Sequence, residues 1–218
     1  MGEAGIRRML ADQTVTTPPY APPFLRAGDL IIAQTANILQ FLGPRIGLAP
    51  TDEAGRLWAH QLQLTVADFV KEIHDTHHPI ANSLYYEEQK PAAKRRAADF
   101  RKLRLPKYLG YFEGALRRNP HGISYMVGDT LTYVDLSMFQ IIAGLQYAFP
   151  RAMAQVKKDY PLLHALHDRV KALPRIAAYL SSKRRIPFNQ RGLFRRYPEL
   201  DAPPARKRVV KAKKPKKK

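Results

Sequence analysis

Val127-Gly128-Asp129-Thr130-Leu131-Thr132-Tyr133-Val134-Asp135-Leu136-Ser137-Met138-Phe139 is the stretch whose reading decides the fold of this chain. Thr132 followed three positions later by Asp135 has the spacing of a capping box, with Asp in place of the usual Glu or Gln. The hydroxyl can accept from the Asp135 amide while the carboxylate reaches back to the Thr132 amide, so two otherwise orphaned donors are satisfied together. A helix is therefore predicted to start at Thr132. Leu131 before the cap and Leu136 in the first turn stand at hydrophobic-staple positions, which fix the angle at which the chain enters that helix. Residues 136–145 are nearly all apolar, as expected of a helix buried on most of its surface. By themselves these features describe a core helix and no particular chemistry.

Working outward, 218 residues are enough for one large or two modest domains with real cores. No apolar run approaches the roughly 20 residues needed to span a bilayer. The first five residues lack the basic start and apolar middle of a secretory signal, so a cytoplasmic protein is expected. Zero cysteines exclude disulfides, thiolate nucleophiles and cysteine-ligated zinc, so any thiol chemistry must borrow its sulfur. The formal charge of +19 is unevenly placed: residues 205–218 carry nine Lys and Arg and no acid. With Pro203, Pro204 and Pro215 and almost no core formers, residues 201–218 are expected to be a disordered basic tail. Such a tail serves as a solubilising extension, or else as a phosphate-binding arm or a nuclear-localisation-like patch, and nucleic acid is expected only through it.

Taken in order, Gly5 to Asp12 reads as a short helix, and Pro18, Pro19, Pro22 and Pro23 forbid regular helix after it. Phe24-Leu25 and Leu30-Ile31-Ile32-Ala33 around a Gly28-Asp29 turn predict a hairpin. Gln34 to Leu42 is a helical pattern, with Gly43-Pro44 as its expected stop. Residues 44–51 read as a linker that ends on a cap at Thr51-Asp52. From Asp52 to about His78 one long helix is predicted, with Leu57, Trp58, Leu62, Val66, Phe69, Val70 and Ile73 turned inward.

Lys90 to Asn119 is a second helical stretch, kinked or split at Pro106. The spacing of Phe100, Leu103, Leu105, Tyr108, Leu109, Phe112 and Leu116 assigns these to the core. Lys94, Arg95, Arg96, Arg101, Lys102, Arg104 and Lys107 then form a solvated face rather than an RNA-binding one. Tyr85 and Tyr86 are candidates for a pocket wall. After the core helix, a connecting helix between Pro150 and Pro161, another to Ala172 and a short one over 173–180 complete the chain.

Gly-Asp-x-Leu-Thr-x-x-Asp at 128–135, behind a front part reading proline, strand, Gly-Asp turn, strand, Gln-Thr and helix, closely resembles the cytosolic glutathione transferases. Leu173-Pro174-Arg175-Ile176-Ala177-Ala178-Tyr179-Leu180 also resembles that family, and the likeness spans approximately Pro18 to Asp201. It implies a mainly α protein: an incomplete thioredoxin-like α/β half-domain of two strands and a helix over 1–43, then an all-α C-terminal helical bundle over 52–200. It also implies that Pro23 is the family's cis-proline and that Gln34-Thr35 stand where the family has Gln-Ser or Glu-Ser. That pair would hold the γ-glutamyl carboxylate of glutathione, since a side-chain amide, a hydroxyl and the first amides of a helix converge on one anion. Pro22 occupies a position that normally grips the cysteinyl portion through backbone groups, and it has only a carbonyl to offer.

Asp68 lies where sigma-like members carry paired acids that reach the neighbouring subunit's glutathione, although Ala67 replaces the second acid. The family's first strand, helix and strand, and the hydroxyl that activates the sulfur, have no counterpart before Pro23. Tyr20 does not match that catalytic position, so the catalytic residue is unassigned and the chain reads as an amino-terminally truncated member. The implied function is conjugation of the glutathione thiolate to a small electrophile, as in detoxification, in a homodimer without metal and with impaired turnover. The alternative is a non-catalytic binding or scaffold protein on the same fold, with the basic tail touching nucleic acid or an acidic partner.

The histidines invite a metal reading that the spacing does not carry far. His74 and His78 would share one helix face, but no glutamate follows His74 and the zinc-protease pattern fails. No metal is expected there, and His164 and His167 are expected at the surface of an amphipathic helix.

Overall fold

The computed structural model describes residues 2–201. Helix α1 (Glu3–Ala11) leads through a proline-rich stretch to strands β1 (Phe24–Ala27) and β2 (Leu30–Ala33), followed by α2 (Thr35–Arg45). The strands pair antiparallel from Phe24 opposite Ala33 to Ala27 opposite Leu30. Gly28 takes φ +62 in the two-residue turn, the left-handed conformation that such hairpins demand. The Pro22-Pro23 peptide bond is cis, at the place implied for a cis-proline.

Seven helices follow: α3 (Glu53–Asp75), α4 (Tyr86–Asp99), α5 (Leu105–Arg117), α6 (Tyr133–Ala148), α7 (Pro150–Val156), α8 (Pro161–Ala172) and α9 (Pro174–Ser181). Among the described residues the only sheet is the two-stranded one, so the molecule is a partial thioredoxin-like half joined to an all-helical bundle.

Helix α6 is the axis of the bundle and packs against α3, α7 and α8. Its start is the expected box, extended by a long-range bond. The Thr132 amide and hydroxyl both donate to Asp135 Oδ2, at 2.7 and 2.8 Å, and the Met126 amide donates to Oδ1 at 2.7 Å. Burial pushes the Asp135 carboxyl up from its usual range, and these three donors offset only part of that rise. One carboxylate thus fixes both the helix start and the loop in front of it.

Two other buried acids act likewise from a distance. Glu113 on α5 accepts the Leu162 and Leu163 amides at the head of α8, at 3.1 and 3.0 Å. Asp201 accepts the Arg151 and Ala152 amides at the head of α7, at 2.7 and 3.1 Å. Asp201 was expected to begin the tail, yet it is buried in the body; the rest of the expected tail, 202–218, lies outside the described residues.

Several expectations need correction. Helix α2 does not stop at Gly43-Pro44 but runs through to Arg45. Gly43 is there for closeness: a Cβ would lie 2.7 Å from the Tyr133 ring, so a side chain would push α2 away from α6. The stretch after α2 is tied down as well, with Leu48 donating to the Gly43 carbonyl at 2.8 Å and accepting from the Tyr133 amide at 2.9 Å.

The second helical stretch has a leading turn from Tyr86, set off by a kink at Gln89 from the expected start at Lys90, and its α-helical run is interrupted just ahead of Pro106, as expected. A π-helical turn over Phe100–Arg104 widens the backbone just before the proline and absorbs its missing donor. Leu57 and Leu103, expected in the core, are 61% and 55% exposed; the other apolar residues of those two series are buried or packed against the core. Glu72 joins α3 to the π turn and α5. Burial raises its carboxyl, but Arg104 at 2.9 Å, Tyr108 at 3.1 Å and Arg96 at 3.3 Å outweigh that and hold it below its ordinary value. The basic residues of α4 therefore belong partly to an internal network and otherwise to solvent.

Candidate functional site

Helix α2 begins with no side-chain cap. Gln34, just before it, sits at φ +68 and ψ 123, a region that costs a non-glycine residue about 1–3 kcal/mol. The amides of Thr35, Ala36 and Asn37 have no acceptor among the described residues, so the positive end of the helix presents open donors. Gln34, Thr35 and Ala36 line a cleft of about 750 Å³. An open helix start of this kind holds a carboxylate or phosphate without further machinery.

The opposite walls are apolar. Val66, Ala67 and Val70 come from α3, and Leu136 and Ile141 come from α6. One polar pair crosses between those helices: the Ser137 hydroxyl donates to Gln63 Oε1 at 2.7 Å, and Gln63 is buried. Tyr133 also reaches the cleft, but burial pushes its phenol above the ordinary range, which makes it a poor source of charge. The arrangement can hold an anion at one end and a small apolar group at the other.

Of the residues singled out in the sequence, Gln34 and Thr35 are brought together on the cleft, whereas Pro22 and Pro23 are exposed and lie outside its lining. Asp68 is exposed on α3 and has no ion-pair partner among the described residues; its neighbour Ala67 faces the cleft. Tyr20 is almost fully exposed.

Tyr85 and Tyr86 line no part of the cleft. Tyr85 is exposed, and Tyr86 is buried against Tyr197, ring over ring at 3.7 Å, with its hydroxyl donating to Glu199 at 2.9 Å. His164 and His167 are not at the surface, because α8 is covered on that side; His167 stacks on Phe139 at 5.1 Å. His74 and His78 do share one face, and the structure adds His77 to them.

Residues the sequence did not signal are Gln63, Ser137, Leu193 and Phe194. The last two come from the irregular stretch after α9 and close the cleft. The available clue was Gly144 in an otherwise apolar helix. Its hydrogen faces the Phe194 ring so closely that a Cβ would lie 2.4 Å from it.

The family model described as "Glutathione S-transferase, C-terminal domain" matches residues 74–183, half of the chain. A glutathione S-transferase of Plasmodium falciparum (isolate 3D7) is 28% identical over 172 residues, which cover 77% of this chain and 73% of the relative. Glutathione S-transferase P of Capra hircus is also 28% identical, over 173 residues, covering 78% and 74%. The structure of the Onchocerca volvulus Pi-class glutathione S-transferase superposes with a TM-score of 0.63 at 22% identity, covering 83% of this chain and 77% of that one. The prostaglandin synthase D of Nilaparvata lugens gives 0.63 at 20% identity, covering 86% and 84%. At these identities the two structures speak for the fold alone. No helix of the described residues is long and apolar enough to cross a membrane.

Proposed function

This chain belongs to the glutathione S-transferase family, and we propose that it binds glutathione at the α2 end of the cleft and joins the thiolate to a small electrophile held against α3 and α6. The observation that carries the reading is the uncapped start of α2, whose free amides open on a mostly apolar cleft. The γ-glutamyl carboxylate accepts from those amides, with the Thr35 hydroxyl and the Gln34 side-chain amide beside it. Pro22 contributes its carbonyl to the cysteinyl portion, and Pro23 leads directly into β1. The residues up to the end of α2 at Arg45 form the glutathione-binding part, 46–51 the linker and 52–200 the helical domain that receives the electrophile.

The sulfur attacks an electrophilic carbon, a carbon–sulfur bond forms, the leaving group departs with its electron pair, and the thiol proton passes to solvent. No hydroxyl in the cleft is placed to assist. Thr35 is spent on the carboxylate, the Ser137 hydrogen is committed to Gln63, and burial pushes the Tyr133 phenol up. The thiol therefore stays near its solution value of about 8.5, and turnover is slow. Leu57, exposed on α3, and Leu64, exposed at the edge of the cleft, give a homodimer an apolar face. The protein acts in the cytoplasm.

A second reading, glutathione binding without turnover, draws on the same missing hydroxyl. Retention on immobilised glutathione, followed by conjugation of a generic aryl halide from pH 6.5 to 9.5, tests both. The first reading expects retention and a slow rate that climbs through about pH 8.5, where a free thiol ionises. Retention with no product at any pH moves the assignment to the second; no retention removes both.

A further inference from the structure

Helix α3 ends at Asp75, but its turn continues: the His77 and His78 amides both donate to the His74 carbonyl, at 3.1 and 3.2 Å. His74, His77 and His78 are thereby held on one side of the helix end. One ring nitrogen from each lies within 4.8 Å of the other two. The rings are mutually close, with centroids 5.1 Å apart for His74 and His77, 5.1 Å for His74 and His78 and 4.8 Å for His77 and His78.

The hydrogen bonds fix which nitrogens are free. His77 is 1% exposed, and its Nε2–H donates to the Leu193 carbonyl at 2.9 Å, which leaves a bare lone pair on Nδ1. That Nδ1 lies 2.6 Å from His78 Nδ1, which must supply the shared hydrogen and can surrender it by changing tautomer. His74 Nδ1 faces the Asp75 carboxylate at 3.2 Å, so its proton sits there and Nε2 is free. Histidines that ligate metals have this outer arrangement: the far nitrogen bonded to a backbone carbonyl or a carboxylate, the near one open. Burial holds the His77 ring neutral down to about 3, and burial and then Arg195 lower His78, so both offer lone pairs at neutral pH.

We propose that His74, His77 and His78 bind one divalent transition-metal ion of the zinc class, with a fourth position open to water. Three imidazoles and no oxygen or sulfur ligand select the later first-row dications over magnesium or calcium. Tetrahedral coordination at about 2.0–2.1 Å places ligand nitrogens about 3.3 Å apart. The 2.6 Å pair must open and the widest pair must close, both of which the half-exposed rings of His74 and His78 can do while His77 stays on Leu193. Asp75, itself paired with Lys71 at 2.7 Å, supplies the nearby negative charge, and Arg195 opposes it. An ion there clamps the end of α3 to the Leu193 stretch that closes the cleft. The site does not depend on the glutathione reading, since no thiol takes part in it.

The test uses the full chain without a polyhistidine tag, stripped with a chelator and titrated with Co²⁺, then back-titrated with Zn²⁺. One equivalent should develop the visible bands of a tetrahedral site, Zn²⁺ should bleach them, and the loaded protein should melt at a higher temperature. His74→Ala and His78→Ala, at the two partly exposed rings, should each weaken binding by about 30-fold or more, while His121→Ala leaves it unchanged. Absence of bands at stoichiometric Co²⁺ in the unmodified chain overturns the proposal. So does equal affinity in the His74→Ala/His78→Ala double variant.

Discussion

The front of the molecule and its helical body are held together differently. Between Glu3 and Arg45 the buried apolar side chains are Pro19, Ile32 and Ala36, α1 buries nothing, and the sheet has two strands. A lone hairpin of that size is marginal in water. From Glu53 to Asp201 one continuous core runs through every helix from α3 to α8, and buried acids cap three of them. The front therefore borrows its order from the body, through Gly43 against Tyr133 and Leu48 bonded to Tyr133. The body supplies stability, and the front carries the strained, open helix start.

The sharpest way to test this division is Asp135→Ala, which leaves the Met126 and Thr132 donors buried without an acceptor. A loss of about 3–4 kcal/mol in urea unfolding, with front and body melting together, is expected. Glu113→Ala should cost about 2 kcal/mol by freeing two amides at the head of α8, with the front unaffected below the main transition. Gly43→Ala should cost about 1–2 kcal/mol but act elsewhere. Proteolysis within the first 45 residues should accelerate while the urea midpoint of the body hardly moves; an equal shift of the whole transition would show that the two regions are one unit. The smallest effect is expected for Gln34→Gly, which relieves the left-handed strain and stabilises by up to about 1 kcal/mol while weakening glutathione retention.

The same contrast explains what could be read in advance. Thr132, Asp135 and the apolar run behind them are local in sequence, so the central helix was legible, as were the hairpin around Gly28 and the cap at Asp52. Glu113 and Asp201 cap helices 49 and 50 positions away, and no spacing rule reaches that far. Gly43-Pro44 was read as a stop because glycine and proline punctuate helices, whereas here the glycine answers a contact with Tyr133. That Gln34 and Thr35, which both line the cleft, stand together was legible through family likeness. Leu193 and Phe194 were not, because an irregular stretch carries no period. The histidines at 164 and 167 were misplaced because α8 is covered on a side that its own pattern left polar.

Calorimetric titration with glutathione and with cysteinylglycine, the same thiol lacking the γ-glutamyl carboxylate, is the most direct trial of the open helix start. Glutathione is expected to bind at least about tenfold more tightly, the equivalent of about 1.4 kcal/mol for one anion on free amides. Equal affinities, or no heat with either, would contradict it.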